Sequence, residues 1–131
     1  MYAYIYIWYH VVSVEDRLKH PDSRQYLPLK PNWLHILLTL SEAPKHGYAI
    51  MQEVQERTDG KIKLWPATLY GTIRRLEDAH LVETADGDEP DNDERRQYYA
   101  ITPFGKDVLR EEVKRLEQLV QLAYSMGAVR K

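Results

Sequence analysis

From Leu109 to Gly127 small or apolar residues recur at intervals of four, three, four, three and four: Leu109, Val113, Leu116, Val120, Ala123 and Gly127. That spacing is the seam of a heptad, and Leu119, Leu122 and Met126 broaden it into a stripe. A chain of 131 residues has room for one modest core, and that core cannot also cover a stripe of this length. The pattern therefore predicts a C-terminal segment, 103–131, that is a long helix pairing with a second copy of the chain. Its dimerisation residues are Leu109, Val113, Leu116, Leu119, Val120 and Ala123. The extra width predicts packing against the partner's first helix as well.

Upstream of this helix the periodicity changes repeatedly. Pro31 suits a first helical turn, and Trp33, Leu34, Ile36, Leu37, Leu38 and Leu40 make a largely buried helix that stops at Ala43-Pro44-Lys45. A second helix follows His46-Gly47, with Tyr48, Ile50, Met51 and Val54 inside and Gln52, Glu53, Gln55 and Glu56 outside, ending at Asp59-Gly60. Lys61 to Leu64 alternates charged and apolar residues, as a brief strand would, and Pro66 opens a third helix running to about His80. Leu81 to Thr84 and Arg96 to Ile101 read as two strands of a hairpin, and Thr102-Pro103 as the cap and first turn of the last helix. Three helices, a hairpin and a long final helix give an α+β chain that is mainly α, in the element order of a winged helix-turn-helix.

Winding residues 66–80 as a helix puts Leu69, Ile73 and Leu76 on one narrow stripe. The opposite side carries Ala67, Thr68, Gly71, Arg74 and Arg75, with Tyr70 on its flank. An ordinary wet helix face is covered by long charged residues, whereas this one mixes small residues, a hydroxyl and two arginines. Ala67 and Gly71 permit the close approach that a major groove demands, Thr68 can meet a base edge or thymine methyl, and the arginines can meet guanine or phosphate. Segment 61–80 holds Lys61, Lys63, Arg74 and Arg75 against Glu77 and Asp78, so its charge is locally basic although the whole chain carries −2. The hairpin loop 87–94 has five acids and no base, so phosphate repels its tip, and only Arg95 and Arg96 beside it are placed to touch a DNA backbone.

Other chemistries find little support. The chain has no cysteine, hence no disulfide framework, thiolate metal site or cysteine nucleophile. His10, His20, His35, His46 and His80 form no close pair, no nucleophile-base-acid set or paired carboxylates fall on the expected framework, and no Gly-rich phosphate loop occurs. No enzyme activity, metal or cofactor is expected. Residues 1–14 are apolar but too short to span a bilayer and lack the marks of a signal peptide, so a cytoplasmic protein with no membrane partner is expected.

Three segments resemble the PadR family of transcriptional regulators. His46-Gly47-Tyr48-Ala49-Ile50 resembles that family's HGYxI signature, Pro66 to Glu77 its recognition helix, and Arg96 to Gly105 the strand-to-helix segment that ends its wing. The similarity covers roughly Pro28 to Lys131. It implies a homodimeric regulator, a repressor in the reading favoured here, that binds double-stranded operator DNA with its third helix in the major groove and dimerises through a single C-terminal helix. Carried over by position, Thr68, Tyr70, Gly71, Arg74 and Arg75 face DNA, with Lys61 and Lys63 on the backbone before the helix. The resemblance also implies a small aromatic effector bound near the dimer helix, for which Trp33, Tyr124 and Trp8 are the aromatics at hand. The acidic loop departs from the basic wings of the family and leaves open the alternative of a winged-helix protein-interaction module that binds no DNA.

The expected organisation is an extension at 1–27, a winged-helix domain at 28–102 and the dimerisation helix at 103–131. The extension has no counterpart in the family core. Its run Tyr2, Tyr4, Ile5, Tyr6, Ile7, Trp8, Tyr9 has high β-propensity, and it is expected to be poorly packed or the product of a misplaced start.

Overall fold

The structure is a computed structural model that describes residues 22–85 and 97–131. Helix α1 spans Pro31–Leu40, strand β1 Lys45–His46, helix α2 Gly47–Arg57, helix α3 Pro66–Asp78, strands β2 and β3 Val82–Ala85 and Tyr98–Ile101, and helix α4 Pro103–Ser125. The strands form an antiparallel sheet in the order β1-β3-β2. The fold is therefore mainly helical, with the wing and the long terminal helix that the element order predicts.

Each helix boundary has a local cause. Proline occupies the first turn of α1, α3 and α4, where its missing N–H costs no helical bond. The His46 imidazole accepts the Ala49 N–H at the start of α2, and the Thr102 hydroxyl accepts the Gly105 N–H at the start of α4. Helix α2 ends where Asp59 and Gly60 turn to positive φ. Helix α3 stops at Asp78, a little before His80, because His80 adopts φ 62° and the Leu81 N–H reaches back to the Leu76 carbonyl at 2.9 Å.

The short strand expected at Lys61 to Leu64 does not form. The Thr58 hydroxyl takes the Ile62 N–H at 3.0 Å, which curls this segment into a turn away from any ladder. The third strand lies before α2 instead: Lys45 pairs with Tyr99 and His46 with Tyr98 along the open edge of β3. Tyr48, expected inside, is 63% exposed, since it lies about 200° around α2 from the fully buried Ile50.

The core joins Ile36, Leu37 and Leu40 of α1, Ile50 and Val54 of α2, Leu69, Ile73 and Leu76 of α3, the wing residues Leu81, Val82 and Ile101, and Val108 and Leu109 of α4. Tyr26 and Leu27, the last residues of the stretch read as an extension, pack against it partly buried, with the Tyr26 ring 6.4 Å from that of Trp33 and edge-on to Phe104 at 6.1 Å. Residues 1–21 lie outside the described residues. No helix among the described residues is long and apolar enough to cross a membrane.

One charge enters this core. Glu112 of α4 is 1% exposed and accepts the Leu29 N–H at 2.6 Å and the Arg115 Nε–H, pinning the chain before α1 to the last helix. Burial alone pushes its carboxyl upward, but the hydrogen bonds from Arg115 and Leu29 and the nearby guanidinium charge outweigh it and hold the pKa below the ordinary 4.5. A carboxyl whose folded pKa is depressed stabilises the fold fully above its unfolded pKa and loses that contribution as pH falls through the folded value. Glu112→Gln is expected to cost roughly 1 to 2 kcal/mol at neutral pH. The difference in thermal midpoint from the parent should close as pH drops below 4.5, and a gap of constant size down to strongly acid pH would show that the charge contributes nothing.

Candidate nucleic-acid interface

Helix α3 lies across the domain with Leu69, Thr72, Ile73 and Leu76 buried, which turns Ala67, Thr68, Arg74 and Arg75 to solvent, with Gly71 half-exposed between them. A Cβ built on Gly71 meets nothing within 4 Å, so glycine here is not required by packing inside the domain. The face is thus shallow over its first two turns and rises only at Arg74 and Arg75. Asp78, also exposed, falls on the same side one helical repeat beyond Gly71 and confines any phosphate contact to the N-terminal part of the helix.

Pairing elsewhere sharpens the contrast. The Glu42 carboxylate is gripped by Arg57 and Lys45, whose hydrogen bonds hold its pKa at about 2, and Lys45 also pairs with Glu53. Those cations are spent inside a local network. Among the described residues no carboxylate pairs with Lys61, Lys63, Arg74 or Arg75. These four cations, on and just before α3, make this side attractive to a polyanion despite the net charge.

The sequence-derived residues divide into groups. Thr68, Gly71, Arg74 and Arg75 share the α3 face, and Lys61 and Lys63 are exposed in the segment leading into it. Tyr70 turns the other way: it is half-buried, and a Cβ added at Gly47 would lie 2.6 Å from its hydroxyl oxygen and 2.9 Å from its ring. Tyr70 and Gly47 thereby set how closely α2 and α3 approach. Arg95 and Arg96 lie outside the described residues. Among the dimerisation residues, Leu109 is buried in its own domain at 8% exposure, Leu116 and Ala123 are half-buried, and Val113, Leu119 and Val120 remain exposed. Helical phasing does not single out Trp65, which stands just before α3 and is 62% exposed. Its signal in the sequence is an aromatic directly before a first-turn proline; spaced four residues ahead of Leu69 it is in phase with the buried stripe, and it stays exposed because it is the extended cap residue outside the helix.

With this geometry in view, the chain matches the sequence model of the transcriptional regulator PadR-like family over residues 36–111. It is similar to uncharacterized protein X of Lysinibacillus sphaericus, at 37% identity over 87 residues that span 66% of this chain and 79% of that protein. Among solved structures it resembles a transcriptional regulator from Clostridium thermocellum, at 26% identity and TM-score 0.59, with 88% of this chain and 97% of that one covered. It also resembles a PadR family transcription regulator from Clostridium difficile, at 25% identity and TM-score 0.63, covering 74% of this chain and 98% of that one.

Proposed function

The chain belongs to the PadR-like family of transcriptional regulators, and on that premise we propose that it is a dimeric repressor which binds operator DNA with α3 in the major groove. The observation that carries this reading is the α3 face itself: small residues over the first two turns, then Arg74 and Arg75 exposed and, among the described residues, without carboxylate partners. The small residues admit the helix to the groove, and the arginines have the reach and the bidentate geometry to meet guanine edges or phosphates. A second copy, joined through α4, places a second α3 for a symmetric half-site about one helical turn, or a multiple of it, away. A small aromatic effector acting near the dimer helix and releasing DNA is part of the same proposal, supported by the family and by the half-buried Trp33 and Tyr124.

Arg75→Ala is expected to weaken binding to the promoter duplex upstream of the protein's own gene by about 1 to 3 kcal/mol if it reads a base. The affinity of the parent should also fall steeply with rising salt. Fluorescence anisotropy titrations of the parent, Arg74→Ala, Arg75→Ala and the double variant check this. Equal affinities in all four would remove α3 as the DNA surface, and a parent with no salt-dependent binding would favour a protein-interaction module.

A further inference from the structure

Apart from Leu38 and the stripe on α4 and its tail, the large hydrophobic side chains left exposed among the described residues are Tyr48 and Trp65. The two rings border one groove of about 620 Å³, Tyr48 at the start of α2 and Trp65 just before α3, and Leu64 and Pro66 line it too. Trp65 has no place in the core because its neighbour Leu64, 5% exposed, takes it. The Lys63 ammonium lies 4.6 Å from the centroid of the Trp65 ring and has no carboxylate partner among the described residues. The ring thus holds a cation in place beside a flat apolar surface.

Resting on the reading of α3 as the groove-entering helix, we propose that Trp65 and Lys63 form a second DNA contact. In it the indole lies against the deoxyribose of a backbone strand at the rim of the groove, and the Lys63 ammonium takes the adjoining phosphate. A strand of DNA presents these two chemistries in alternation, an apolar sugar edge and an anionic phosphate, and the pair presents their complements side by side. The contact is continuous with the exposed Ala67 and Thr68, since Trp65 immediately precedes the first turn of α3. Glu56 and Asp59 also line the groove; Glu56 stands about 12 Å along α2 from Tyr48, and the strand is placed at the aromatic end. Because sugar and phosphate carry no sequence information, this contact strengthens binding to every duplex and does not select among them.

The test uses the full chain and a short labelled duplex of mixed sequence, titrated across a range of salt. Trp65→Ala should weaken binding roughly ten-fold at every salt concentration, the effect of removing one well-buried apolar side chain from the complex. Lys63→Ala should flatten the dependence of log affinity on log salt by about 0.9, the slope that one neutralised phosphate contributes. Duplex should quench tryptophan fluorescence in the parent and not in Trp65→Phe, a variant that keeps an aromatic ring and so guards against loss of fold. Parent-like affinity in Trp65→Ala, or full quenching retained in Trp65→Phe, overturns the proposal. If Arg74→Ala/Arg75→Ala loses duplex while Trp65→Ala does not, the α3 reading stands and this contact alone falls; if the parent ignores salt, both fall.

Discussion

Gly105→Ala is expected to be the most damaging glycine-to-alanine change among the described residues, lowering stability by about 3 kcal/mol or more. A Cβ at this position would lie 2.2 Å from the Leu81 carbonyl oxygen and 2.8 Å from Ile101 Cγ1. The first of these neighbours is backbone and is not free to retreat, because the same carbonyl accepts the Thr102 N–H at 3.0 Å and Leu81 is fully buried. Accommodation therefore requires α4 to lift away from the wing, which also strains the capping bond from the Gly105 N–H to the Thr102 hydroxyl. In a domain of this size the loss should appear as a fall in thermal midpoint on the order of 12 to 24 °C. A fall of only a few degrees would mean that the wing and α4 shift freely past one another.

Gly71→Ala makes the opposite case with the same chemical change. Nothing stands within 4 Å of the added methyl, and replacing an unstrained helical glycine by alanine removes backbone freedom from the unfolded chain, for a gain of about 0.4 to 1 kcal/mol. A more stable protein that binds duplex less well would identify Gly71 as a residue kept for close approach to DNA.

These two glycines also mark where sequence reading works and where it stops. The buried stripe Leu69, Ile73, Leu76 and the shallow face opposite it follow from helical periodicity, because both are set within one element. The proline and hydroxyl signals at the helix starts are legible for the same reason. Contacts between elements are not. Nothing in the spacing of Tyr70 reveals that its ring closes over Gly47, or that the carbonyl of Leu81 seats against Gly105. Alternation at Lys61 to Leu64 suggests a strand, but a strand needs an open partner edge, and the free edge of β3 is claimed by Lys45 and His46, which show no alternation. Glu112 is hidden in the same way: a glutamate in a charged helical run reads as solvated until the chain before α1 brings the Leu29 N–H to it.

Charging the outer turns of α4, as in Leu119→Glu/Val120→Glu, is expected to convert the proposed dimer into a folded monomer. The helix serves two ends along its length. Its first turns bury Gly105, Val108, Leu109 and Glu112 in the parent domain, while the turns beyond Arg115 run on for about 15 Å and leave Leu119, Val120, Leu122 and Met126 between 46% and 74% exposed. Burying the exposed half of a Leu or Val side chain is worth about 1 kcal/mol, and a twofold pairing counts each position twice, so the double substitution removes about 4 kcal/mol of association energy before the charge repulsion it adds. That corresponds to a dissociation constant raised roughly a thousand-fold. The substituted side chains are 53% and 46% exposed in the single chain, so the domain itself should melt as before at concentrations where the parent is also dissociated. Sedimentation velocity at micromolar protein checks the assembly, and the duplex titration described above should show the monomer losing affinity for a paired half-site more than for a single one. A double variant that sediments as a dimer would place the contact between copies elsewhere, with the N-terminal aromatic run as the next segment to charge.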